Sequence, residues 1–167
     1  MARARPRVGW ELLTKAELGL LAGMVNMGLL VFNVGFTHAD AIAAPNPEMF
    51  SVFGQIMVLI WGCAFIAAGL TDAQPAVWGV FALEKLCYTA GWALYWHSKR
   101  VAHSSYRTAW DEAMSVYEQQ PDPRDVRPLL APIFHLVYGP LDAVFMFLFL
   151  YRALAGRGAA AARQKSD

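Results

Sequence analysis

Residues 76–98 read AVWGVFALEKLCYTAGWALYWHS. The run has the ~20-residue length needed to cross the hydrocarbon of a bilayer, yet Glu84 and Lys85 stand side by side close to its middle. A single charge at the centre of a membrane costs about 2.5–3.5 kcal/mol even on lenient insertion scales. Two adjacent charges there have to face protein, water or a ligand. The rest of the chain must fold so as to cover them.

Composition supports a membrane setting. Of 167 residues, 57% are hydrophobic and 16% charged, with mean hydropathy +0.34, against about 45–50% and 25% in soluble domains. The apolar excess is gathered into long runs. A net charge of +1 gives no long-range attraction for nucleic acid. Cys63 and Cys87 lie inside apolar runs, with no Cys-x-x-Cys spacing, and are read as free, buried thiols.

Working outward from 76–98, four spans emerge, at about 16–37, 49–70, 76–98 and 130–154. The first follows a basic arm, residues 1–14, that carries Arg3, Arg5 and Arg7. Its apolar run exceeds the ~7–15 residues of a signal peptide's core, so it is read as a retained helix. The link between spans two and three is short, which makes them antiparallel neighbours. Trp92, Tyr95 and Trp96 close span three as an aromatic belt. In the long connection Tyr106, Trp110, Met114 and Tyr117 recur at helical spacing, predicting an interfacial helix over 104–119. Residues 155–167 read as a disordered basic tail. The fold class is therefore all-α: an integral membrane antiparallel four-helix bundle, with a surface amphipathic helix between spans three and four.

Orientation follows from basic residues flanking the spans. Arg3, Arg5, Arg7 and Lys15 at one end, and Arg152, Arg157, Arg163 and Lys165 at the other, outnumber Lys99, Arg100, Arg107, Arg124 and Arg127 in the long connection. Both termini are expected in the cytoplasm, with a bacterial inner membrane as the setting. The lipid bilayer is the first partner. A homo-oligomer or a larger membrane complex is the second, and Gly19-x-x-x-Gly23, with Asn26 and Asn33 in heptad register with Gly19, marks a face for close helix contact, within the chain or between protomers.

Three constellations carry chemistry. The first is a polar layer at mid-span: Asn26, Gln55, Glu84, Lys85 and Asp142, one or more from every span, with Tyr88 one turn beyond Glu84. Adjacent helical residues point about 100° apart, so Lys85 pairs with Asp142 rather than Glu84. Glu84 is left for Tyr88, Asn26 or a ligand. The second is a face of span four, His135, Tyr138 and Asp142 at i, i+3 and i+7, read as a relay towards the midplane. The third is weaker. His38, His97, His103 and His135 fall towards one side, where converging imidazoles would suit Zn, Cu or a haem iron, but no metal-binding spacing joins them and the sequence does not say which cofactor, if any, is held. Gly139-Pro140 is expected to kink or unwind span four beside Asp142.

The function read first is a ligand-binding, minor transport or accessory protein with a polar pocket inside the membrane. Two alternatives stand beside it: an intramembrane enzyme or redox subunit using a carboxylate and His135, and a structural subunit of a larger membrane complex. The sequence does not decide whether the chain catalyses anything.

Overall fold

The computed structural model describes residues 13–71, 73–102, 111, 114, 115, 118, 119 and 126–164, with the side chains of 99–102 and 157–164 undescribed. The described residues are helical or irregular, with no strand. In chain order the helices are α1 (Lys15–Met27), α2 (Leu29–Phe32), α3 (Ala39–Ala43), α4 (Pro47–Phe50), α5 (Val52–Leu70), α6 (Pro75–Ala102) and α7 (Arg127–Gln164). Three stretches are long and apolar enough to cross a membrane: Lys15–Phe32, Val52–Leu70 and Arg127–Gly156. Helix α6 is long enough, with 28 residues, but Glu84, Lys85 and its Trp and Tyr side chains lower its mean hydropathy.

Local chemistry sets the helix starts. Thr14 opens α1 with a capping box: its hydroxyl accepts from the Glu17 amide at 3.2 Å, and the Glu17 carboxylate accepts from the Thr14 amide at 2.7 Å, satisfying two otherwise orphaned donors. Ser51 caps α5 through the Gly54 amide, and Asn46 caps α4 through the Met49 amide.

The long helices pack as two antiparallel pairs, α1 with α5 and α6 with α7. Glycine decides the first pair. A Cβ on Gly19 would fall 2.8 Å from the Cα of Gly69, and one on Gly23 would fall 2.7 Å from the Gly62 carbonyl oxygen. The backbones approach too closely for any other side chain, the small-residue mode of helix association in membranes. This contact is internal to the chain. Aromatic rings join the pairs: Phe65 of α5 meets Phe81 of α6 edge to face at 4.8 Å, and both lie against Phe149 of α7.

The structure departs from several expectations. The first long helix ends at Phe32 rather than 37, in a turn where Val34, Gly35 and Phe36 all have positive φ, at 50°, 59° and 71°. The Asn33 side chain holds that turn by accepting from the Phe36 amide at 3.1 Å. The second span starts at Val52 rather than 49, because Ser51 breaks the helix after α4. Helix α7 runs unbroken through Gly139-Pro140 and on to Gln164. Trp92 packs directly over Gly139, filling the space a break would open, and the run of alanines beyond Gly158 favours helix over a disordered tail. Cys63 and Cys87 are free but exposed, because they sit on outward faces of α5 and α6. The helix read over 104–119 falls largely outside the described residues; Asp111, Met114, Ser115 and Glu118 within it are helical.

Candidate functional site

The site forms where the two helix pairs meet. Lys85 of α6 is 2% exposed. Its ammonium donates to Asp142 Oδ1 of α7 at 2.6 Å and to Asn26 Oδ1 of α1 at 3.0 Å. Asn26 in turn donates its amide hydrogen to the Val58 carbonyl of α5 at 2.9 Å. The ammonium also lies 5.1 Å from the centre of the Phe65 ring, within cation–π range. One cation thus touches or bridges all four long helices.

Glu84 is the anomaly. Its Oε2 lies 3.9 Å from Lys85 Nζ, beyond hydrogen-bonding distance. The residue is 8% exposed, and among the described residues neither carboxylate oxygen has a hydrogen-bond partner. Beside it opens a cavity of about 60 Å³, bounded by Asn26, Lys85, Tyr88, Tyr138 and Asp142 with Phe50 and Phe134. That is room for a few water molecules and far short of the ~300 Å³ of a drug-sized pocket. Two carboxylates therefore share one ammonium beside a small, partly open cavity. No protein-family model, curated protein or solved structure matches the chain.

Of the residues singled out from sequence, Asn26, Glu84, Lys85, Tyr88 and Asp142 all border this cavity. Gln55 does not. It is fully buried below α3 and α4, donating to the Ala39 and Phe50 carbonyls at 2.8 and 2.9 Å and accepting from Asn33 at 2.9 Å. Every polar atom of that side chain is committed to fixing the 33–50 segment. Asn33, noted only for its heptad spacing, is its missing half.

On this face of α7, His135 and Tyr138 make their hydrogen bonds to the 38–50 segment. His135 Nε2 meets the Ile42 carbonyl at 2.8 Å, and the Tyr138 hydroxyl donates to Met49 Sδ at 3.6 Å. The His135 and Tyr138 rings meet edge to face at 5.9 Å, so each polar tip points to the 38–50 segment instead of the next member of the face. Trp92 and Trp96 both donate their indole N–H to the His135 carbonyl, at 2.9 and 3.3 Å. Among the described residues no group of three His, Cys, Asp or Glu side chains is placed to hold a metal; His103 lies outside them. His97 is exposed, and His38 sits half-buried before α3.

Proposed function

We propose that this chain is an integral membrane protein whose four long helices form an antiparallel transmembrane bundle around a binding site for a small monovalent cation, held by Glu84. Support for the membrane setting comes from the outward surface. Met24 and Val31, Phe53 and Ile60, and Val144 and Phe147 are all exposed. So are Val80, Leu83 and Leu86 of α6, while Glu84 and Lys85 turn inward. In water so large an apolar surface would drive association; against lipid it is satisfied. Average hydropathy counts Glu84 and Lys85 against α6 although both turn inward, away from the surface that would meet lipid. Ten residues separate Pro75 from Lys85, about 15 Å at helical rise, which suits a position half-way through a ~30 Å hydrocarbon layer. The balance of Arg and Lys favours cytoplasmic termini.

The observation that carries the binding role is the unpartnered carboxylate of Glu84. Glu84 shares its one nearby cation with Asp142 and makes no hydrogen bond to it, which leaves the buried carboxylate under-compensated, and such a group inside a membrane is by default functional. A proton, an alkali ion or an ammonium ion supplies the missing positive charge. The cavity admits nothing much larger, and the aromatic side chains of Tyr88, Phe50 and Phe134 border it, a lining that suits a small cation. Binding or minor transport of such an ion is the activity that follows.

The test is thermal unfolding of the purified protein in nanodiscs with sodium, potassium, ammonium or methylammonium chloride, balanced by choline chloride at constant ionic strength. A cation bound only by the folded state raises the midpoint with concentration. At least one of the four should do so, and Glu84→Gln should abolish the response while remaining folded. A wild-type midpoint indifferent to all four, or a Glu84→Gln variant responding as the wild type does, would overturn the proposal.

A further inference from the structure

A separate cavity, of about 340 Å³, opens between α4, the start of α5 and the middle of α6. Three sulfur side chains border it, Met49 of α4, Met57 of α5 and Cys87 of α6, beside Glu48 and Tyr88. Methionine ordinarily fills irregular gaps in a core. Here two methionines flank a space that they leave open, and the cysteine that shares it is exposed. The sulfurs stand within reach of one another. Met49 Sδ lies 3.4 Å from where a Cβ on Gly91 would be. Gly91 follows Cys87 by one turn of α6, and β-carbons four residues apart on a helix are about 5–6 Å apart. Met49 therefore crosses α6 one turn from the thiol. Its sulfur accepts from the Tyr138 hydroxyl at 3.6 Å, which engages one lone pair of the thioether and leaves the other. Met57, half-buried, borders the same space from α5.

We propose that Met49, Met57 and Cys87 form a binding site for Cu(I). Thioether and thiolate sulfurs are soft donors, and they select Cu(I) over the hard cations that oxygen ligands prefer. Zinc sites are built from thiolate, imidazole and carboxylate; thioethers do not serve it, and no imidazole borders this cavity. On binding, the Cys87 thiol gives its proton to solvent and its sulfur bonds to the metal. One thiolate and two neutral thioethers around a monovalent ion make a complex of zero net charge. Such a complex escapes most of the cost of burying an ion, which suits the flank of the bundle, against lipid under the proposed arrangement. Glu48, exposed at the rim, is the one charged residue of the wall and offers a bare cation its point of entry.

The experiment titrates the full chain in nanodiscs with Cu(I), kept reduced by ascorbate under nitrogen, against the chelator bathocuproine disulfonate, with empty nanodiscs subtracted. The wild type should withhold one copper per chain from the chelator. Cys87→Ser, at an exposed position, should fold and lose that retention. Met49→Leu and Met57→Leu, close to methionine in volume, should each weaken it about tenfold through the loss of one soft donor. Cys63 does not border the cavity, so Cys63→Ser should change nothing. Failure of the wild type to withhold copper, equal losses in the two serine variants, or unchanged retention in both leucine variants (the mark of a lone thiol) would overturn the proposal. None of the four residues borders the Glu84 cavity, so copper retention and the cation responses there stand or fall independently.

Discussion

Lys85 Nζ lies 2.6 Å from Asp142 Oδ1, and the contact is not symmetrical in its consequences. Lys85 has a second carboxylate, Glu84, at 3.9 Å, whereas Asp142 has no second cation in the site. Removing one member of a buried pair costs roughly 3–5 kcal/mol because it strands the other charge. Asp142→Asn leaves Lys85 free to swing towards Glu84. Lys85→Met leaves two carboxylates together with no cation. Unfolding in detergent titrations should therefore show Lys85→Met as the more damaging change, and the double variant Lys85→Met/Asp142→Leu as less damaging than Lys85→Met alone. Equal losses for the two single variants would refute this asymmetry.

Close approach of α1 and α5 yields a paired test on glycines. Gly19→Val drives a branched side chain into the Gly69 backbone and should destabilise by more than about 2 kcal/mol, as overpacking at a rigid contact does. At Gly79 an added Cβ would meet only the Ala153 Cβ, at an ordinary 3.8 Å. Gly79→Ala should be neutral or stabilising by about 0.5–1 kcal/mol, the usual helix gain over glycine. Thermal unfolding of the two variants side by side decides the point.

Val34 holds φ at 50°, a conformation that costs an L-residue about 1–2 kcal/mol and is hardest on a β-branched side chain. Val34→Gly should relieve that strain, less the extra freedom glycine gains on unfolding, and raise the melting midpoint by about 2–4 °C. A lower midpoint would show that the Val34 side chain contributes more by packing than its backbone loses.

Gln55→Leu removes two donors and an acceptor from a buried site, stranding the Ala39 and Phe50 carbonyls and the Asn33 amide. Each orphaned group costs about 1–3 kcal/mol. The variant should lose hydrogen-exchange protection across 33–50 while cation responses at Glu84 persist. Unchanged protection in that segment would remove the structural role assigned to Gln55.

Cys63 and Cys87 offer a probe of the membrane setting. On outward faces of α5 and α6 they face lipid under the proposed arrangement, a medium that charged reagents do not enter readily. Charged thiol reagents should leave both unmodified in nanodiscs and modify them once the protein is denatured. Rapid labelling of the folded protein by such reagents would argue against the lipid-facing assignment.

The sequence made the inward-facing charges legible because only one physical solution exists for Glu84, Lys85 and Asp142 in apolar runs: they turn towards the interior. It could not show that Glu84 would lack any donor, since that depends on side-chain reach across helices. Gln55 misled for the opposite reason. An amide in an apolar run signals a need for partners, but its partners are backbone carbonyls of a neighbouring irregular segment that no periodicity reveals. At Gly139-Pro140 local propensity predicted a break, and the Trp92 ring packed over Gly139 overrode it. The facing of Cys63 and Cys87 was lost because apolar runs carry little contrast between inner and outer faces.

The separation of Lys85 from Asp142 by 57 residues has a bearing on biosynthesis. At 5–20 residues per second, a ribosome delivers Lys85 on the order of 3–10 s before its carboxylate partner is made. In that interval Lys85 has Asn26, which carries no charge, and the adjacent Glu84, whose carboxylate stays 3.9 Å away even in the finished fold. Under the proposed four-span arrangement, helix α6 would then linger at the insertion machinery until α7 emerges, and the two would enter the lipid as a hairpin, with the ion pair already closed.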